Sequence, residues 1–198
     1  MIEKFLRQHY QTWFVDPMVK RIQHSLKPMH ITILAGLLGV LIIPALYYSK
    51  ITLAVLLLIT SGYLDTLDGT LARKTKATSD FGSIMDIVID RLVEIAAVIG
   101  LCLIDPIHRA FLSLLMLGSM LLCITSFLVV GIFTPNDSEK GFHYSAGLME
   151  RAEAFLFFIL MMLFPMYFMP LSILFIILVL LTTMIRLIEF RYFNSRET

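Results

Sequence analysis

The chain has 198 residues, 58% hydrophobic and 16% charged, with a net charge of +1 and a mean hydropathy of +0.84. Soluble domains carry about 25% charged residues, so a soluble globular fold is excluded; at about 20 residues per bilayer crossing, the length suits one all-α integral membrane domain over 1–198. No Lys/Arg tract with interleaved aromatics points to nucleic acid, and Cys102 and Cys123 sit in apolar runs without CxxC or ligand spacing, which predicts inert core cysteines.

Residues 1–27 mix charge with apolar residues and lack the uninterrupted apolar stretch of a signal peptide. Ile2, Phe5, Leu6, Tyr10, Trp13 and Phe14 recur at three- and four-residue intervals with Lys4, Arg7 and Gln11 between them. This pattern predicts an amphipathic juxtamembrane helix, lying on the membrane surface, packed on the bundle, or both. Residues 28–198 then read as a six-helix bundle, with transmembrane runs near 29–48, 51–68, 84–104, 110–133, 147–166 and 168–187. Lys and Arg gather before span one, between spans two and three, between four and five, and after six; only Lys50 and Arg109 fall on the other side. That bias predicts cytoplasmic termini, and in a bacterium a place in the plasma membrane.

The end of span two reads "LDTLDGTLARK". Asp65 and Asp68 are three apart, so a continuing helix points both to one side. Gly69 and Ala72 leave space beside them, and Arg73 brings a planar fork suited to phosphate. Span three opens "FGSIMDIVIDRLVEI", where Gly82, Asp86, Asp90 and Glu94 follow at four-residue intervals. Antiparallel packing of the two helices would bring four aspartates together at the cytoplasmic boundary. Like charges so close repel one another in a poorly hydrated site, and a divalent cation relieves this. All-oxygen ligands favour Mg²⁺ or Mn²⁺ and leave room for a substrate diphosphate. The plainer alternative, a structural ion pair of Arg73 or Arg91 with an aspartate, does not account for so many charged and small residues in ordered spacing, given what intramembrane charge costs.

The run Asp65-xx-Asp68-Gly69-xx-Ala72-Arg73, eight residues, then Gly82-xxx-Asp86-xxx-Asp90 resembles the signature of the CDP-alcohol phosphotransferases, matching all eight of its fixed positions. These are membrane enzymes that include phosphatidylinositol-phosphate, phosphatidylglycerophosphate and phosphatidylserine synthases. The resemblance implies phospholipid biosynthesis by a six-helix fold, often a homodimer, whose active site opens to the cytoplasmic leaflet. By that likeness, Asp65, Asp68 and Asp86 bind metal, in a site for two Mg²⁺ or Mn²⁺ ions. Asp90 sits at its edge, as a further ligand and as the base that deprotonates the acceptor hydroxyl. Asp65, Asp68, Gly69, Ala72, Arg73 and Gly82 would hold the CDP-lipid, CDP-diacylglycerol or an ether-lipid counterpart, with Thr32 and Ser79 touching the nucleotide. Relatives often begin span one with Pro-Asn-x-(Ile/Val)-Thr; here it reads "PMHIT", and Met29 cannot supply an amide hydrogen bond.

Acceptor-binding candidates are Lys140, Arg151, Arg186 and Arg191, whose charges suit a phosphorylated acceptor such as inositol phosphate or glycerol 3-phosphate. Lys140 and Arg191 suit lipid-headgroup anchoring equally well. Arg91 after Asp90, and the run "GLMERAE", resemble the inositol-phosphate members, while the Ser-Phe-Gly-x-x-Pro of the serine members is missing after Asp90. The acceptor stays open. Two other classes compete: an intramembrane prenyltransferase, whose acidic clusters normally lie far apart in the chain, and a cation transporter, whose carboxylates would be spread through the membrane depth.

Overall fold

The structure, a computed structural model, describes residues 11–23, 26–133 and 148–194, and all its elements are helices. The chain divides into two compact units, Met1–Pro106 and Ile107–Thr198.

In the first unit a π-helical turn, Gln11–Val15, leads into α1 (Asp16–Ile22), which has Pro17 in its first turn. There follow α2 (Pro28–Val40), α3 (Ile42–Tyr47), α4 (Ile51–Lys74) and α5 (Asp80–Ile104). α2 and α3 are the two halves of the expected first span. They part at Leu41 because Pro44 has no N–H to offer the Val40 carbonyl. The N-terminal segment docks on α4: Val15 and Val19 are fully buried with Ile31, Leu67 and Leu71. Trp13 stays 77% exposed and Phe14 is exposed as well, so the segment packs on the bundle through one face and leaves an aromatic face outside. The Lys74 ammonium, 2.7 Å from Asp16, holds that carboxyl below its ordinary range. The amphipathic pattern upstream of Gln11 lies outside the described residues.

α2 and α3 pack closely on both α4 and α5, whereas α4 and α5 touch each other sparingly. Close approach on the α5 side depends on glycine: a Cβ on Gly39 would lie 2.4 Å from Val93 Cγ2. Ser61, buried on α4, donates to the Ala35 carbonyl of α2 at 2.9 Å. The two motif helices are therefore joined by a short connection, and each packs mainly on the first span rather than on the other.

Helix ends depart from the apolar runs. α4 continues to Lys74 and α5 begins at Asp80, because the polar motif residues lower hydropathy without breaking helical geometry. α4 closes in a Schellman turn, with Ala77 N–H donating to Ala72 O at 3.0 Å, Lys76 N–H to Arg73 O at 3.4 Å, and Lys76 at φ 53°. α3 ends the same way with Ser49 at φ 57°. α5 is capped by Ser79, whose hydroxyl accepts from Gly82 N–H at 3.1 Å.

The second unit comprises α6 (Pro106–Phe133), α7 (Arg151–Leu163), a 3₁₀ turn Pro165–Tyr167 and α8 (Phe168–Asn194). Phe158 and Phe175, with ring centroids 5.6 Å apart, centre its core beside Met161 and Met162. Arginines span its helices: Arg109 donates to Pro165 O at 3.0 Å and lies over the Phe168 ring.

Among the described residues, four stretches are long and apolar enough to cross a membrane: Pro28–Tyr47, Ile51–Lys74, Pro106–Phe133 and Pro165–Tyr192. The chain is a multi-pass membrane protein. Four rather than six stretches meet that measure, because the N-terminal half of α5 carries the charged stripe and α7 has only 13 residues, about 20 Å of helix.

Candidate active site

Asp65 and Asp68 face one side of α4 because they stand one turn apart on an unbroken helix, and Asp86 reaches them from α5. One oxygen from each lies within 4.8 Å of the others. Ligands about 2.1 Å from a Mg²⁺ ion in octahedral geometry are themselves about 3–4 Å apart, so the three carboxylates fit around such a cation. Oxygen-only donors also match Mg²⁺ or Mn²⁺ rather than zinc.

Asp68 is the most enclosed of the three, 4% exposed, while Asp65 and Asp86 are half-buried. The hydroxyl of Thr32, on α2, lies 2.5 Å from Asp68 Oδ2 and donates to it. The sequence pattern placed Thr32 at the nucleotide; in the structure its hydrogen goes to a carboxylate of the cluster. Met29 is half-buried and His30 exposed.

Asp90, half-buried one turn beyond Asp86, stands outside the three-carboxylate group. The acidic stripe does not continue into the site: Glu94 is buried and takes a 2.6 Å ion pair from Arg91, three residues before it. Arg91 is thus committed to Glu94.

Arg73 is exposed on the last turn of α4, and its Nη2 donates to Thr70 Oγ1 at 3.3 Å. The Arg73 side chain folds back over Gly69, where a Cβ would lie 3.4 Å from Nη1, an ordinary contact distance. Ala72 and Gly82 are half-buried. Ser79 has a structural duty as the cap of α5. Sequence reasoning missed Thr70 and Gln11, which donates to Thr70 Oγ1 at 2.9 Å across 59 residues; only the i, i+3 spacing of Thr70 and Arg73 hinted at the first, and nothing local signals the second.

The acceptor candidates belong to the second unit, except Lys140, which lies outside the described residues. Arg151 opens α7 with its guanidinium over Phe155, 5.1 Å from the ring centroid. Arg191 is exposed near the end of α8. Arg186 is 8% exposed; its Nη1 donates to Cys123 O at 2.9 Å and Ser126 Oγ at 3.1 Å, and the guanidinium lies over Phe127. Among the described residues it has no carboxylate partner, and its buried Nε makes no hydrogen bond.

Comparison with known proteins converges on one group. The family model described as CDP-alcohol phosphatidyltransferase matches residues 26–188. The inner membrane protein YnjF of Escherichia coli strain K12 is 31% identical over 170 residues, covering 78% of this chain and 82% of that protein. An archaetidylinositol phosphate synthase of Methanothermobacter thermautotrophicus is 33% identical over 141 residues, covering 71% and 67%. The enzyme of the same name from Pyrococcus horikoshii is 33% identical over 95 residues, covering 48% and 50%.

Proposed function

The chain belongs to the CDP-alcohol phosphatidyltransferase family, and on that premise we propose that it transfers a phosphatidyl group from CDP-diacylglycerol to a hydroxyl of a polyol or polyol phosphate, releasing CMP. The observation that carries the reading is the carboxylate group Asp65, Asp68 and Asp86, formed by the family's own motif positions. As a CDP-alcohol phosphotransferase it serves phospholipid synthesis. Asp65, Asp68 and Asp86, with Asp90 at the edge, would hold Mg²⁺ or Mn²⁺ in a two-ion site, and bound cations would supply charge neutralisation for a diphosphate and for the departing CMP phosphate.

The protein's own groups do the rest. Arg73 holds the diphosphate oxygens, and Gly69, Ala72 and Gly82 keep the floor of the site low enough for the nucleotide. Asp90 accepts the proton of the acceptor hydroxyl as its oxygen bonds to the lipid-bearing phosphorus and the bond to the CMP oxygen breaks. Arg186 supports a phosphorylated acceptor: a buried guanidinium without a carboxylate partner is costly unless an anion joins it. Arg151 and Lys140 add charge for the same phosphate, and Arg191 either joins them or anchors headgroups. Two relatives named for archaetidylinositol phosphate synthesis favour inositol phosphate over other acceptors.

The chain works as one membrane domain, with α5 and α7 as the third and fifth of six crossings. α5 spans 25 residues and starts on the side where α4 ends. The Lys/Arg bias puts that side and both termini in the cytoplasm, and the working form is a homodimer; cysteine-labelling from either side and cross-linking in membranes test these placements.

Asp90→Asn tests the chemistry. It abolishes turnover, by at least about 10²-fold as expected for loss of a general base, while CDP-diacylglycerol still binds. Normal turnover in this variant refutes the assignment.

A further inference from the structure

Arg73 has no ion pair among the described residues, and it is exposed, yet its guanidinium is not left to wander. Its anchor is a single hydroxyl. Thr70 Oγ1 donates its one hydrogen to the Thr66 carbonyl at 2.8 Å, which leaves two lone pairs. Arg73 Nη2 donates into the hydroxyl at 3.3 Å and Gln11 Nε2 at 2.9 Å. One donation and two acceptances fill the hydroxyl's capacity, so its orientation is determined by all three partners together.

Gln11 comes from far away in sequence, and its own position is secured at several points. The turn that carries it is tied to α4 by Tyr63 Oη donating to Phe14 O at 3.1 Å and by Lys74 meeting Asp16 at 2.7 Å. Val15 and Val19 are buried against Leu67 and Leu71 of the same helix. These contacts hold Gln11 on the Thr70 side of α4.

We propose that Gln11 and Thr70 are positioning residues for Arg73, so that the N-terminal segment, besides packing on the bundle, completes the part of the site that receives the nucleotide diphosphate. The proposal rests on the reading of Arg73 as the diphosphate-binding arginine. Thr70→Val keeps the shape of the side chain and removes the hydroxyl, Thr70→Ser keeps the hydroxyl, and Gln11→Ala removes the distant donor. Each is made in the full chain reconstituted in lipid, alongside Arg73→Ala and the combination of Thr70→Val with Arg73→Ala. The readouts are KM and kcat for CDP-diacylglycerol, the Kd for CDP itself, and thermal stability.

Thr70→Val raises KM and the CDP Kd by about tenfold, the scale of one hydrogen bond to a charged group, and Gln11→Ala by about fivefold, the scale of a bond between neutral groups, each with kcat within about twofold. Thr70→Ser restores binding. In the Arg73→Ala background Thr70→Val has no further effect, because both substitutions disable the same contact. A purely structural fastening of the N-terminal segment lowers thermal stability with KM and Kd unmoved, and that result overturns the proposal; so does an effect of Thr70→Val that persists in full without Arg73. If Arg73→Ala itself leaves KM and Kd unchanged, the reading of Arg73 is wrong and the proposal falls with it, an outcome distinguished by that variant alone.

Discussion

Thr32 and Asp68 show how one hydrogen bond can orient a buried carboxylate. Asp68 is the most enclosed member of the cluster, and burial penalises its charge unless donors or a cation compensate. The Thr32 hydroxyl, brought by the first span, is one such donor. Thr32→Val conserves volume and removes it. Without this partner Asp68 turns more freely, and loss of an outer contact to a metal ligand costs about 10–100-fold in metal affinity. Mn²⁺ titration followed by electron paramagnetic resonance should therefore show at least about tenfold weaker binding, with stability lower by about 1–3 kcal/mol. Unchanged Mn²⁺ affinity would show that Thr32 does not orient the ligand. The same residue marks a limit of sequence reading: its nearness to the site was legible from the family pattern, but its partner was not, since the contact crosses 36 positions. Arg91 is the opposite case, because its i, i+3 spacing to Glu94 was visible and the neighbouring aspartates drew attention away from it.

At the scale of elements, the connection between α4 and α5 sets how the two halves of the motif face each other. Its turn holds Lys76 in left-handed backbone, where a side chain costs roughly 1–2 kcal/mol. Glycine removes that strain and returns about 0.5–1 kcal/mol through its greater freedom in the unfolded chain. Lys76→Gly should therefore stabilise the protein by about 0.5–1 kcal/mol, read as a higher apparent melting midpoint in detergent; a lower midpoint would mean that the turn does not adopt this geometry. No glycine marks either this helix end or that at Ser49, so the usual sequence cue for a Schellman turn was absent. The order of the helices was legible from the apolar runs. The ends of α4 and α5 were not, because hydropathy falls at the motif while the helical hydrogen bonds run on. Nor was the indirect packing of α4 and α5: a short loop favours direct pairing, but Gly36 and Gly39 let α2 come close enough to α5 to take that place.

At the scale of the molecule, the three carboxylates that come together, Asp65, Asp68 and Asp86, sit near the linked ends of α4 and α5, and many large apolar side chains are left exposed, as contact with lipid requires. That distribution is hard to reconcile with a transporter, whose carboxylates would line a path through the bilayer, and it matches an enzyme that works where lipid meets water. The family and the coming together of Asp65, Asp68 and Asp86 were legible because eight spaced residues carry them. The acceptor was not, because no local sequence pattern around the candidate residues Arg151 and Arg186 defines one. The most direct measurement uses the purified protein in lipid vesicles with CDP-diacylglycerol, an ether-lipid CDP donor in parallel, Mg²⁺ or Mn²⁺, and a panel of polyols, polyol phosphates and serine. CMP release and the mass of the lipid product are read together. The account predicts CMP release that requires the divalent cation and one polyol or polyol-phosphate acceptor, inositol phosphate first among them; no CMP with any acceptor would contradict it.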